Sequence, residues 1–194
     1  MKSARKGSDV LLAWLWQYKW HVFGAALLLS LAVIFARVIM PALAVIALGI
    51  IASFSTSYKR IIRIPPAIEL VTFTTVIVSL AYGPVIGAIY AAVVSIAAEV
   101  MTNALDIFII SFVPGRIIIA LTAGFFFDLF GGSIIAAGIA STILYNAIAQ
   151  PFYLFLADVE MRAKSLYFIF VNIGSNIVLF LLLGKVMASL LGIS

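Results

Sequence analysis

The stretch VIGAIYAAVVSIAA, Val85–Ala98, decides the class of this fold, because its fourteen consecutive positions carry no charged side chain. A second such stretch is AALLLSLAVI at Ala25–Ile34, and of all 194 residues 65% are hydrophobic and 10% charged. A soluble domain of ordinary composition carries roughly 25% charged residues and could not bury this much apolar side chain. Lipid solvates such a surface directly, so the sequence predicts an integral membrane protein.

Helices are favoured over a barrel by the continuity of these runs. Backbone amides in hydrocarbon must bond to one another, so a spanning chain is either helical or a closed barrel. Barrel strands alternate apolar and polar residues over about ten positions, whereas the runs here are unbroken. The predicted fold is all-α, a polytopic transmembrane helical bundle in the cell membrane, with membrane lipid as a partner. We expect residues 1–20 to form a basic, aromatic tail at the membrane interface and residues 21–194 a single transmembrane domain.

The number of spans depends on the first apolar region, which runs from Val22 to Tyr58. Its 37 residues would extend about 55 Å as one helix, against a hydrocarbon core of roughly 30 Å. We therefore expect two spans, near 22–38 and 41–57, that turn around Arg37 and Pro41. One kinked helix is the alternative. The other spans are predicted near 66–82, 84–102, 107–130, 133–157 and 166–191, which gives seven spans, or six with the alternative.

The distribution of basic residues favours seven spans. Seven spans place nine Lys and Arg side chains on one membrane face and two, Arg37 and Lys185, on the other, whereas six split them almost evenly. Lys and Arg concentrate in cytoplasmic loops, so the amino terminus is predicted to be cytoplasmic. This bias also accounts for the net charge of +5, and we predict no nucleic-acid partner. The nine are Lys2, Arg5, Lys6, Lys19, Lys59, Arg60, Arg63, Arg162 and Lys164.

Several chemistries are excluded by residues that the sequence lacks. It has no cysteine and a single histidine, His21, so it offers no thiolate site, Ser–His pair or HExxH zinc site. None of its Gly-rich turns is followed by Lys and then Ser or Thr, which excludes a P-loop for ATP. We therefore predict that the protein is not an enzyme and uses no cofactor or metal.

Polar side chains inside the predicted spans gather toward one membrane face. Asn146 and Gln150 are four residues apart, as are Asn172 and Asn176, so each pair occupies one helical face. Polar groups are costly in hydrocarbon, and several at one depth are typical of a ligand cavity. Alternatively, they form interhelical hydrogen bonds and a buried ion pair without a ligand. The predicted substrate-binding residues are Glu69, Glu99, Asn103, Arg116, Asn146, Gln150, Asn172 and Asn176, with Asp106 nearby.

Small residues recur at every fourth position and predict close contacts between helices. Their spacing leaves open whether a given seam packs inside the bundle or docks a partner membrane protein. The seams are Gly83, Gly87, Ala91 and Ser95; Ala32 and Ala36; and Ala88 and Ala92.

The segment that begins PPAIELVTFTTVIVSLAYGPVIGAIYAAVVSIAAEVMTN at Pro65 and ends near Phe130 resembles the substrate-binding S components of energy-coupling factor vitamin transporters. The Gly83-Pro84 turn followed by Gly87 carries this resemblance. It implies a small helical bundle that binds a vitamin-sized or precursor solute and works with a membrane coupling subunit and cytoplasmic ATPases. It also implies that the alanine seams Ala32/Ala36 and Ala88/Ala92 dock the coupling subunit, and that loops 59–65, 103–106 and 158–165 cover the ligand.

Two functional hypotheses follow from these patterns. The first is a small-molecule-binding subunit of a transporter, similar to the S components, with the polar residues lining its pocket. The second is a scaffold or accessory subunit of a larger membrane complex, because the sequence also resembles the rod-shape-determining MreD proteins in its small size and its Gly- and Asp-punctuated helices. In the second hypothesis the polar layer is purely structural.

Overall fold

A computed structural model of the chain describes residues 16–60, 67–103 and 107–193. These residues form helices and turns and contain no strand, which confirms the all-α prediction. A shorter apolar helix of 12 residues, Val71–Tyr82, accompanies five longer segments. The five described segments that are long and apolar enough to cross a membrane are Lys19–Phe54, Pro84–Thr102, Ile109–Leu129, Ile134–Leu156 and Val159–Leu191.

The first segment is helical without interruption from Lys19 to Phe54. Helix α1 (Lys19–Ile34) continues through a π-helical turn (Phe35–Ile39) into α2 (Met40–Phe54). The predicted pair of spans, 22–38 and 41–57, was therefore wrong, and so was the preference for seven spans. Pro41 lacks a backbone N–H, and the wider π turn directly before it accommodates the missing hydrogen bond without ending the helix. The charge argument for a cytoplasmic amino terminus required seven spans and loses its basis with them.

The chain divides between Ala44 and Val45 into two compact units. In the described part of the first unit, residues 16–44, apolar side chains such as Leu28 and Leu29 are exposed (70% and 68%). A helix that is apolar on all sides and exposed is suited to lipid or to another membrane protein. Residues 1–15 of the predicted tail lie outside the described residues.

In its described residues, the second unit contains the carboxyl-terminal part of α2, a 3-10 turn at Ser57–Arg60 and six further α-helices. The predicted span 84–102 matches its helix residue for residue, whereas the predicted loop 158–165 was wrong because Val159 already begins a helix. Asp158 caps that helix, its side chain accepting a hydrogen bond from the backbone N–H of Met161 at 2.7 Å. These helices are α3 (Val71–Tyr82), α4 (Pro84–Thr102), α5 (Ile109–Leu129), α6 (Ile134–Leu156), α7 (Val159–Leu179) and, after a π turn at Phe180–Gly184, α8 (Lys185–Leu191).

Two hydrophobic clusters hold the second unit together. In the larger, side chains of α3, α5, α6 and α7 meet, and the rings of Phe73 and Phe180 lie with their centroids 4.8 Å apart. In the smaller, Ala52 of α2 packs with Val78 of α3 and Val94 of α4. The carboxyl-terminal part of α2 therefore belongs to the same packed body as α3 and α4.

Close contact between α3 and α4 depends on glycine. Gly83 joins them with a φ of 93°, and a Cβ at Gly87 would lie 2.6 Å from the Cβ of Ser79. Ala91 and Ser95 continue the Gly87 face and are both fully buried. The spacing of these residues left open whether they pack inside the bundle or dock a partner protein. The structure shows that Gly87, Ala91 and Ser95 pack inside the bundle.

Candidate functional site

Arg116 of α5 is a buried cation that pairs with Glu69, another of the predicted site residues. It is 2% exposed, and its Nη2 lies 3.5 Å from Oε2 of Glu69. Its Nη1 donates a hydrogen bond to Ser95 Oγ of α4 at 3.2 Å. The guanidinium also lies over two aromatic rings, with centroids 5.5 Å away at Phe112 and 5.2 Å away at Tyr145. Three helices and the segment before α3 therefore meet at one charged group.

Glu69 lies just before α3 and is 1% exposed. Besides its pairing with Arg116, Oε2 accepts a hydrogen bond from the backbone N–H of Thr72 at 2.9 Å, in the first turn of α3. An unpaired N–H at a helix start favours a negative charge at this position. The second carboxylate oxygen, Oε1, is buried and has no hydrogen-bond partner among the described residues.

Glu99 brings a second carboxylate to this region. It is 3% exposed and lies one turn along α4 from Ser95, the hydroxyl that Arg116 contacts. Its charge acts on Arg116 together with that of Glu69. The structure therefore brings together all three charged residues that the sequence predicted for the site.

The asparagines of α6 and α7 form one hydrogen-bonded ladder. Asn146 Nδ2 donates to Asn172 Oδ1 at 2.9 Å, and Asn176 Nδ2 donates to the backbone oxygen of Asn172 at 3.0 Å. Asn172 Nδ2 in turn donates to the backbone oxygen of Ala67 at 3.1 Å, two residues before Glu69. Because all three side chains are at least 97% buried, the ladder ties α6 and α7 to the segment that carries Glu69.

Gln150 lies one turn beyond Asn146 on the same face of α6 and is 4% exposed. Neither its Oε1 nor its Nε2 has a hydrogen-bond partner among the described residues. Tyr153 follows on this face and stacks on Phe108 with ring centroids 4.3 Å apart. We call Glu69, Ser95, Glu99, Arg116, Asn146, Gln150, Asn172 and Asn176 together the polar cluster.

One predicted site residue lies apart from the polar cluster. Asn103 is exposed and ends α4 in a left-handed conformation with φ 50°, a role at helix ends that asparagine tolerates well. The prediction of Asn103 as a pocket residue does not agree with this exposed position. Asp106 lies outside the described residues.

The predicted docking alanines differ in their environments. Ala32 and Ala36 are exposed in the first unit, whereas Ala88 and Ala92 of α4 are partly buried. Both pairs leave surface that a partner helix could contact.

Sequence reasoning missed Ser95 as a ligand of Arg116, and it missed the backbone oxygen of Ala67. Ser95 was predicted only as a member of the small-residue seam. Its small side chain lets the helices pack closely, and its hydroxyl also accepts the hydrogen bond from Arg116. The rings of Phe112 and Tyr145 around Arg116 were also missed, since aromatic residues are common throughout the spans. No sequence signal identifies a backbone carbonyl as an acceptor for Asn172.

A cavity of about 460 Å³ has Ala67, which lies two residues before Glu69, in its lining. It lies between α7 and the segment that leads into α3, where the backbone N–H of Ile68 donates to the hydroxyl of Tyr58 at 3.2 Å. Its other lining residues include Lys164, Tyr167, Phe168 and Val171. The cavity therefore adjoins the residue whose carbonyl anchors the asparagine ladder.

The polar cluster contains several buried atoms that lack a hydrogen-bond partner among the described residues. Among the described residues, no three His, Cys, Asp or Glu side chains are grouped to hold a metal ion. The buried side-chain atoms without hydrogen-bond partners in the described part of the chain include oxygens and nitrogens of the amides and of the charged pair, and also hydroxyl oxygens outside the polar cluster, such as those of Thr72 and Ser141. Comparison of the chain with protein-family models, curated proteins and solved structures gives no match.

Proposed function

We propose that this chain is a membrane-embedded, small-molecule-binding subunit of a transporter, of the kind that the resemblance to the S components implies. Its polar cluster would bind the solute within the helical bundle. The observation that carries the proposal is Gln150, a 96% buried amide whose two polar atoms contact no hydrogen-bond partner among the described residues.

Buried polar atoms without hydrogen-bond partners lower the stability of the folded protein. Each buried donor or acceptor without a partner lowers the stability of the fold by about 1–3 kcal/mol. A native protein that retains several such groups is expected to have a reason for them, such as a ligand that becomes their partner. Glu69 Oε1, Asn146 Oδ1 and Arg116 Nε share this condition with the Gln150 amide. Glu69 and Arg116 form the buried ion pair, and Asn146 belongs to the asparagine ladder, one turn from Gln150. Under this proposal a polar solute supplies the missing hydrogen-bond partners.

The energy for transport would come from another subunit. The sequence contains no P-loop, so under this proposal ATP is hydrolysed by cytoplasmic ATPases that act through a membrane coupling subunit. The partly buried Ala88 and Ala92 of α4 lie beside exposed apolar side chains such as Ile89 and Val93. A surface of this composition is suited to close contact with a partner helix.

The test exploits the lack of protein partners for Gln150. Gln150→Met keeps the size of the side chain and removes an amide that no described residue needs, so stability should be kept or raised. Small molecules released from the gently purified protein would be measured by mass spectrometry, and unfolding would be followed in parallel. We expect the released solute to be lost in Gln150→Met and kept in the control Gln17→Met, the same change at an exposed position.

The solute measurement distinguishes a polar cluster that binds a solute from one that only holds the helices together. A polar cluster that is only structural would release no solute from the wild-type protein, and its Gln150→Met variant would leave uptake into cells unchanged. Those two results together would reject the transporter proposal.

The second candidate function is a scaffold or accessory subunit of a larger membrane complex. It is favoured by the exposed apolar helix of the first unit, which includes Leu28, Leu29 and the seam residues Ala32 and Ala36. Purification in mild detergent distinguishes the two. A stoichiometric membrane partner without ATPases, together with no released solute, would favour the scaffold.

A further inference from the structure

The polar cluster has a fixed hydrogen-bonding polarity. An amide side chain seen alone can be turned either way, but a backbone carbonyl accepts hydrogen bonds and never donates them. Asn146 donates to the carbonyl of Thr142 at 2.9 Å, Asn172 to that of Ala67 and Asn176 to that of Asn172. Each asparagine therefore has its nitrogen on a carbonyl and directs its oxygen elsewhere.

Most of the side-chain oxygens left by this arrangement are acceptors that receive no hydrogen bond from the described residues. Asn172 Oδ1 accepts from Asn146, while Asn146 Oδ1 and Asn176 Oδ1 have no partner among the described residues. Glu69 Oε1 is a third such acceptor, and it carries part of a negative charge. Gln150 adds one unpartnered acceptor and one unpartnered donor group, so acceptors remain in excess of donors in the polar cluster.

The guanidinium of Arg116 already contacts several neighbouring side chains. Arg116 pairs with Glu69, donates to Ser95 and lies over the rings of Phe112 and Tyr145. Only its Nε–H is without a partner among the described residues. Besides the Gln150 amide, an anionic solute would therefore meet one available N–H of the guanidinium and three buried acceptor oxygens that repel it.

We infer that the solute is a hydrogen-bond donor, a compound with an ammonium, amidinium or amino-heterocyclic group, and that Glu69 Oε1 receives its strongest hydrogen bond. Each of the three unpartnered acceptors can receive an N–H, and a charged donor makes the stronger bond to the carboxylate of Glu69. This inference rests on the proposed function and adds the chemical class of the solute.

Three compounds with the same ring test the inference: benzamidine, benzamide and benzoate. Their binding to the purified full-length protein would be measured by ligand-induced shifts in unfolding temperature and by competition with the co-purified solute. We expect affinity to fall in that order, with benzamidine bound most tightly and benzoate not at all. Glu69→Gln should weaken benzamidine about tenfold, since a hydrogen bond to a charged group contributes energy of that order.

The matched control is Asp128→Asn, which removes one exposed carboxylate at the far end of α5 and should leave benzamidine binding unchanged. Tighter binding of benzoate, or a co-purified solute that is an acid without donor groups, would overturn the donor inference while leaving the binding function intact. If no compound binds and no solute is released, the proposed function fails, and this inference fails with it.

Discussion

Asn146 and Asn172 bond to each other directly, Nδ2 of Asn146 donating to Oδ1 of Asn172 over 2.9 Å, with both side chains at least 97% buried. Asn172 also donates to the carbonyl of Ala67. One side chain thus joins α6, α7 and the segment that leads into α3. Asn172 is structural by these contacts, whereas Gln150, one turn away from Asn146, contacts no hydrogen-bond partner among the described residues.

Replacing Asn172 with Ala should destabilise the protein by about 1–3 kcal/mol, because Asn146 and the Ala67 carbonyl lose a buried partner. A double-mutant cycle with Asn146→Ala should give a coupling energy of about 1 kcal/mol, as for hydrogen bonds between membrane helices. Equilibrium unfolding in mixed micelles measures both. Ser30→Ala is the control, since that exposed hydroxyl bonds only within its own helix. A coupling of zero would mean that the two side chains do not interact.

Arg116→Met should destabilise the protein by about 3–5 kcal/mol, because Glu69 is left as an uncompensated buried charge. Adding Glu69→Gln removes that charge and should recover a large part of the loss. The contrast is the exposed pair of Lys164 and Glu160, 2.6 Å apart, where Lys164→Met should cost under about 1 kcal/mol. Similar losses at both pairs would show that the Arg116 pair is not desolvated.

The class of fold, and much of the cluster, could be predicted from the sequence, because both follow from local patterns. Continuous apolar runs define spans, and the spacing of four that links Asn146 to Gln150 and Asn172 to Asn176 fixes a shared helical face. The structure confirms the all-α fold and brings these faces together with Glu69, Glu99 and Arg116.

What sequence reasoning missed depends on contacts between distant residues or on backbone geometry. Pro41 was interpreted as a turn, because a π-helical detour that retains the helix leaves no composition signal. Asn103 was grouped with Glu99 by spacing, yet at the end of α4 the backbone turns into the left-handed region and the shared face ends there. Ser95 contacts Arg116 because α4 packs against α5, and Ala67 contacts Asn172 because the segment before α3 packs against α7. Neither packing can be deduced from the sequence of a single segment.

Gly87→Ala should destabilise the protein by about 1–3 kcal/mol, the usual cost of overpacking. The new methyl group would lie within 2.8 Å of the backbone Cα of Ser79, and backbone cannot move aside as a side chain can. Gly174→Ala is the matched control, because a Cβ there meets no atom within 4 Å. It should stabilise α7 by about 0.5–1 kcal/mol through helix propensity. Equal effects would contradict the close contact of α3 and α4.

The stability of the protein should fall as pH rises above 10, in part through Tyr58. Burial raises the pKa of the Tyr58 hydroxyl above its ordinary value of 10.0, and the nearby Glu69 charge adds to this shift. A raised pKa in the folded state means that the contribution is complete below pH 10 and is lost as pH increases through the folded-state pKa. Unfolding temperatures of wild type and Tyr58→Phe between pH 8 and 11 measure it. Tyr58→Phe should show the smaller decline, and identical pH profiles would contradict the prediction.

Labelling with a membrane-impermeant maleimide tests the crossing of α5 and α6, since the chain has no cysteine of its own. If each helix crosses once, Asn103→Cys and Glu160→Cys should react from one side of the membrane and Asp128→Cys only from the other. All three positions are exposed, so reagent access is limited by the bilayer and not by protein packing. Ile119→Cys, at a fully buried position, should react only after unfolding, which controls for leakage into the bundle. Reaction of Asp128→Cys from the same side as Asn103→Cys would mean that α5 does not span the membrane.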